Sequence, residues 1–241
     1  MQDLPNLRPL CSDPFSPADL LDALRGHGEL ARLMAASAEV WEGYTVEQHT
    51  EMVMNVFEKF WGRFFDQEGK IFWRLLLLTH DIGKPVAVEK YGTKDRQHET
   101  TWPIMKEVMA AAQCSELELK RAKVLLQQDV LGEYFKDKID KDNAVQQVLD
   151  IQKQGQWTIE EALFRLKVFF CSDAGGYTTF AGGIYSLDYL FEVDEDQKVM
   201  EFSNTHNDRP EYQQFTTFGK FQLLAAAASA SSAASMAGKL R

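Results

Sequence analysis

Leu75-Leu76-Leu77-Leu78-Thr79-His80-Asp81-Ile82-Gly83-Lys84-Pro85 is an apolar run that ends abruptly in an imidazole and a carboxylate. The pattern predicts a helix from about Lys70 to Asp81 that is apolar on nearly every side, as expected of the central, most buried element of an all-α fold. Gly83 and Pro85 stop it. His80 and Asp81, adjacent at the end of a buried helix, are two ligands offered to one metal ion. His49 lies upstream on one predicted helix and Asp173 far downstream on another, and both fall on apolar faces.

Helical signals dominate on either side of this run. Ser16-Pro17-Ala18-Asp19 offers an N-cap hydroxyl and a proline at the first helical position. Thr45-Val46-Glu47-Gln48 is a capping box that opens a long helix to about Phe65. On it His49, Val53, Val56, Phe60 and Phe64 recur at three- and four-residue steps, placing His49 on the buried face. A polar loop from Glu89 to Gln97 leads to a helix restarted near Thr100 and Pro103 and running through Ala112. Further helices begin at Ser115 and near Lys141, and Thr158-Ile159-Glu160-Glu161 caps the one on which Leu163, Leu166, Phe170 and Asp173 share a face. A carboxylate at the end of such an apolar stripe is costly unless it is paired or binds a metal.

The pattern changes toward the C-terminus. From Ile184 to Phe202 the pattern is less clear and is compatible with a short strand or a β-hairpin, and the Ala/Ser-rich stretch from Leu224 to Leu240 is either a marginal helix or a disordered extension. The predicted organisation is an N-terminal helical extension over 1–44, a metal-binding helical core over 45–180, a packing or lid segment over 181–223 and a tail over 224–241. Tyr185, Tyr189, Phe191, Phe202, Tyr212 and Phe215 supply enough apolar area to cover a pocket mouth or make a contact in a homo-oligomer.

Composition narrows the function classes. At 241 residues the chain needs no second core. Its formal charge of −10 opposes any grip on a nucleic-acid backbone through bulk electrostatics. A small anionic substrate remains compatible where a metal and local Lys or Arg outweigh the acidic surface. The 3 cysteines, Cys11, Cys114 and Cys171, are widely spaced and form neither a zinc motif nor a disulfide framework. No secretory signal is expected in Met1 to Leu10, and no apolar run approaches the roughly 20 residues that cross a bilayer. The expectation is a cytoplasmic protein without membrane partners.

The order His49, His80-Asp81, Asp173 resembles that of the HD superfamily of metal-dependent phosphohydrolases. Between His49 and His80 lie 30 residues and between Asp81 and Asp173 lie 91, separations that suit ligands carried on the helices of an HD domain. The string His80-Asp81-Ile82-Gly83-Lys84-Pro85, followed by His98-Glu99, is similar to the HD domains of bacterial tRNA nucleotidyltransferases. The polymerising domain of those enzymes is absent, so their polymerase activity is not implied. The resemblance spans about Thr45 to Gly176 and implies an all-α HD bundle with His49, His80, Asp81 and Asp173 as ligands to one divalent metal. Relatives with two metals add a histidine where this chain has Gln128 and Asp129. That departure implies a mononuclear site, with Asp129 as a polar group just outside it.

Two neutral imidazoles and two carboxylates make a mixed N/O site suited to Mn²⁺, Co²⁺, Ni²⁺, Fe²⁺, Zn²⁺ or Mg²⁺. An ion with open positions acidifies water and withdraws charge from a phosphoryl oxygen. Asp81 is a candidate to orient the attacking water. Lys84, one turn past the pair, is a candidate to hold a substrate phosphate. His98 is a candidate phosphate contact or proton donor to the leaving group. The expected activity is hydrolysis of a phosphoester in a nucleotide or nucleotide-like small molecule, whether phosphatase or phosphodiesterase. Two readings from other classes compete: a sensor that binds metal and nucleotide without turnover, and an interaction module on an inherited fold.

Overall fold

The computed structural model describes residues 4–39, 43–177, 187, 189–204 and 216–239, with side chains of the last helix described to residue 234. The helices are α1 (Pro17–Arg25), α2 (Gly28–Met34), α3 (Val46–Val56), α4 (Gln67–Thr79), α5 (Lys84–Tyr91), α6 (Gln97–Ala111), α7 (Glu116–Gln127), α8 (Val130–Phe135), α9 (Lys141–Gly155), α10 (Ile159–Ala174) and α11 (Thr217–Lys239). Two short strands, β1 (Phe191–Asp194) and β2 (Val199–Phe202), pair antiparallel with Phe191 opposite Phe202. The all-α class with a short C-terminal hairpin is therefore the observed one. No described helix is long and apolar enough to cross a membrane.

The chain forms two compact units. One comprises Met1–Gln127 and Ser172–Gly183, the other Gln128–Cys171 and Ile184–Arg241. α10 thus belongs to the second unit as far as Cys171 and gives its last residues, Asp173 among them, to the first.

The first unit is organised around α4, on which every residue from Ile71 to Thr79 is buried. α3 packs against α1, α2 and α4, while α6 packs against α4, α5 and α7. Leu75 to Leu78 are fully buried, each contributing roughly 2 kcal/mol of transfer free energy. Arg74 is the buried charge on this helix, and each nitrogen of its guanidinium donates to an acceptor. Nε and Nη2 donate to the two Glu58 oxygens at 2.7 and 2.8 Å, Nη1 donates to the Cys11 carbonyl at 2.8 Å, and Nη2 also meets Asp13 at 2.7 Å. The Phe15 ring covers the guanidinium at 4.1 Å. A sequence-level oddity, a charge inside an apolar helix, is thus the tie between α4 and the N-terminal segment.

Three local departures from the sequence reading have physical causes. The long helix expected to Phe65 ends as α3 at Val56 and continues through a π-turn, Phe57–Trp61, and a short 3₁₀ turn, Gly62–Phe64. The widened turn shifts the register, so Phe57, Phe60 and Trp61 face inward while Phe64, expected on the apolar stripe, is 54% exposed. Gly83 and Pro85 do end α4, but Pro85 also starts α5, because a proline in the first turn lacks only a donor that would have no helical partner. The same reasoning fails for Pro103. It lies inside α6, which begins earlier than expected, at Gln97.

In the second unit α9 packs on α8 and α11, and α11 packs on β2. Phe135, Phe170, Phe191, Phe202 and Phe221 form a connected ring cluster with centroid separations of 4.9–6.3 Å. Phe191 and Phe202, weighed from the sequence as lid or packing residues, pack here; Tyr185, Tyr212 and Phe215 lie outside the described residues. The Ala/Ser-rich tail is helical, with Leu224 and Ala228 buried.

Candidate metal centre

His49 sits one turn into α3, whose start is held by the capping box. Thr45 N donates to Gln48 Oε1 at 2.9 Å and Gln48 N to Thr45 Oγ1 at 3.2 Å. The His49 ring is buried, stacks on Tyr44 at 5.7 Å, and has Nδ1 at 2.9 Å from the carbonyl oxygen of Gly176. A carbonyl only accepts, so Nδ1 carries the proton and Nε2 is left as a lone-pair donor. His80 obeys the same logic on its own helix. It is the C-cap of α4, and its Nδ1 donates to the Leu77 carbonyl at 2.6 Å. Backbone carbonyls therefore set the tautomer of both rings, which is how metal-ligating histidines are usually oriented.

The two Nε2 atoms converge on two carboxylates. His49 Nε2 lies 3.0 Å from Asp173 Oδ1 and 3.4 Å from Asp81 Oδ2; His80 Nε2 lies 3.3 Å and 3.6 Å from the same two oxygens. All four ligand atoms fall within 4.8 Å of one another. Donors about 2.1 Å from a shared ion and roughly 90–120° apart at it would be about 3.0–3.6 Å from each other. The four histidine–carboxylate separations match those chords, so the four residues form a candidate site for a divalent ion. His80 and Asp81 are each 2% exposed, whereas the Asp173 side chain is 47% exposed, leaving the cluster accessible from one side.

Charges are balanced within the cluster. Burial alone would raise both carboxylates. His80 and Lys84 nevertheless hold Asp81 below its ordinary value, and the His49 and His80 rings, whose Nε2 atoms face its Oδ1, hold Asp173 well below. For His80 burial works toward the neutral ring, but Asp81 and Asp173 overcome it and raise its pKa above the ordinary 6.5. Lys84 is raised likewise, burial being outweighed by the two carboxylates, and its ammonium bonds Asp81 Oδ2. In the absence of a metal, an imidazolium and an ammonium together neutralise the two acids.

This balance gives a pH dependence with a definite sign. Depressed carboxylates stabilise the fold above their ordinary 3.8 and lose that contribution as pH falls through their folded values. The raised His80 stabilises it fully below 6.5 and loses that contribution as pH rises through its folded value. Metal-free protein should thus melt highest between these values. A divalent ion competes with the proton for His80 Nε2, so the stabilisation it adds should grow with pH through the raised His80 range. Melting temperatures across pH in chelator and in Mn²⁺ check both; a metal increment that does not change with pH would contradict this competition.

Two residues of the site have no motif to announce them. Gly176 accepts the His49 ring proton and packs against α3: a Cβ there would lie 2.5 Å from Val53 Cγ2 and 3.1 Å from Val53 N. The glycine is required by close approach, not merely as a helix stop. Gly176→Ala should push this carbonyl away from His49 and weaken divalent-metal binding roughly 10–100-fold, as loss of an outer partner does; calorimetric titration with Mn²⁺ measures it. The other residue is Gln97, at the start of α6, whose Nε2 donates to Asp81 Oδ1 at 3.0 Å. Sequence reasoning selected its neighbour His98, but successive helical residues point about 100° apart.

The remaining sequence candidates separate clearly. His98 is half-buried on the first turn of α6 and is not part of the four-residue cluster. Asp129 caps α8, accepting from Gly132 N at 3.1 Å, and belongs to the second unit. No protein-family model, curated protein or solved structure matches this chain.

Proposed function

We propose that this chain is a metal-dependent phosphohydrolase of the HD type, acting on a phosphoester in a nucleotide or nucleotide-like small molecule. The observation that carries the reading is the convergence of two carbonyl-oriented imidazoles and two carboxylates at chord distances of 3.0–3.6 Å, in HD order along the chain. A divalent ion held by His49, His80, Asp81 and Asp173 would polarise a phosphoryl oxygen and acidify water near neutral pH.

The chain's own groups supply the rest. His49 and His80 present fixed lone pairs, so neither ring must reorient as the ion enters. The accessible Asp173 marks the side from which a small substrate approaches. Lys84, on a flexible four-carbon stem, can exchange Asp81 for a phosphate oxygen and cancel one of its charges. His98, adjacent to Gln97 on the same helical turn, is the candidate proton donor to the leaving oxygen. The acidic surface disfavours long polyanions, which supports a small substrate over a nucleic acid.

The test is release of phosphate or nucleotide from nucleoside mono-, di- and triphosphates and cyclic dinucleotides, with Mn²⁺, Co²⁺, Ni²⁺ and Mg²⁺ supplied in turn. Turnover that Asp81→Ala abolishes is the expected result and names the substrate class. One metal per chain with nucleotide-induced stabilisation but no product would replace the enzyme by a sensor.

A further inference from the structure

We infer that Gln97 is a positioning residue of this metal centre: its carboxamide holds Asp81 in a one-oxygen presentation, with Oδ2 toward the histidines. The inference rests on the metal-site reading above and extends it to a residue outside the HD pattern.

A carboxylate turns readily about its last side-chain bond, since such torsions are broad and roughly two-fold. Nothing in the backbone therefore decides whether Asp81 offers an ion one oxygen or two. At Asp81 the two oxygens have different partners. Oδ2 faces His49 and His80 at 3.4 and 3.6 Å and takes Lys84; Oδ1 receives the Gln97 N–H at 3.0 Å. The residue is 2% exposed, so water gives Oδ1 little alternative to this bond. A hydrogen bond to an ionised oxygen is among the stronger kinds and directional, whereas the Lys84 ammonium is a mobile point charge. When Lys84 turns to a phosphate, Gln97 remains.

The amide is delivered by a rigid joint. Thr100 Oγ1 donates to the Gly83 carbonyl at 2.7 Å and Gly83 N donates to Thr101 Oγ1 at 3.2 Å. These two bonds lock the first turns of α6 to the backbone two residues past Asp81. Gln97, on the same turns, therefore keeps its distance from the carboxylate. Holding Asp81 to a single oxygen keeps coordination positions open for water and a phosphoryl oxygen, which a two-oxygen carboxylate would fill.

The experiment compares wild type, Gln97→Met and Gln97→Asn in titrations with Co²⁺ alone, following affinity and the visible absorption of the bound ion. Methionine keeps the length without the donor, and asparagine keeps the donor but falls one methylene short. Both should weaken Co²⁺ binding roughly 10–100-fold and lower its visible absorption as Asp81 turns to two-oxygen binding. A structural role alone would move the melting temperature and leave the spectrum of bound Co²⁺ as in wild type. Wild-type affinity and spectrum in both variants would overturn the role of Gln97 while leaving the metal centre standing. Failure of wild type to bind Co²⁺, Mn²⁺, Ni²⁺ or Mg²⁺ would overturn both readings together.

Discussion

Asp81→Asn will lower divalent-metal affinity and any metal-dependent turnover by roughly a thousandfold, the scale of the several kcal/mol that a metal contributes. The substitution is nearly isosteric, so the loss is that of one negative ligand rather than of volume. Asp81 is also the most connected member of the cluster, facing both Nε2 atoms and bonded by Lys84 and Gln97. Neutralising it leaves the Lys84 ammonium, itself 11% exposed, beside an imidazolium with one carboxylate fewer. Removing one partner of a buried pair costs about 3 kcal/mol, so metal-free Asp81→Asn should also melt lower. The two effects separate experimentally: denaturation in chelator reports the charge balance, and titration of the folded variant reports the ligand. Unchanged metal affinity in Asp81→Asn would refute the four-residue site.

Gly83→Ala should be the most damaging conservative change in the first unit, destabilising it by about 3 kcal/mol, the upper end of ordinary overpacking. Its φ of −88° is open to any residue, so conformational freedom is not the reason. Space is the reason. A Cβ would lie 2.2 Å from Thr101 N and 2.6 Å from the Thr100 carbonyl carbon, backbone atoms that cannot turn aside. To admit a methyl group α6 must move, breaking the Thr100 and Thr101 bonds to Gly83 and displacing Gln97 from Asp81. Metal affinity should therefore fall with stability. Gly28→Ala is the control, since nothing lies within 4 Å of its Cβ position, and it should leave the urea midpoint nearly unchanged. Equal midpoints for the two variants would contradict the close-approach argument.

Much of the fold was legible because its signals are local. The capping boxes at Thr45 and Thr158, the proline at the start of α1 and the all-apolar face of α4 each depend on residues within a few positions. The π-turn at Phe57–Trp61 was not legible. It adds no unusual residue, and its effect, exposing Phe64 while bringing Glu58 to Arg74, depends on a partner 16 residues away. The helicity of the Ala/Ser-rich tail was likewise undecided, because alanine favours helix while serine is weaker, and contacts with α9 and β2 lie far off in sequence.

The same division holds for the site. The likeness of their order to the HD pattern, added to histidines and carboxylates standing on apolar faces, was what selected His49, His80, Asp81 and Asp173. Their convergence within 4.8 Å, the choice of ring nitrogen and the charge balance with Lys84 required the fold. Gln97 and Gly176 had no such signal. An amide at a helix start and a glycine after a helix end are ordinary in sequence. One acquires its role by reaching Asp81 from another helix, the other by offering a backbone carbonyl to a ring 127 positions away. Chemistry carried by side-chain identity is written locally along the chain, whereas orientation, protonation and backbone contacts arise only when distant segments meet.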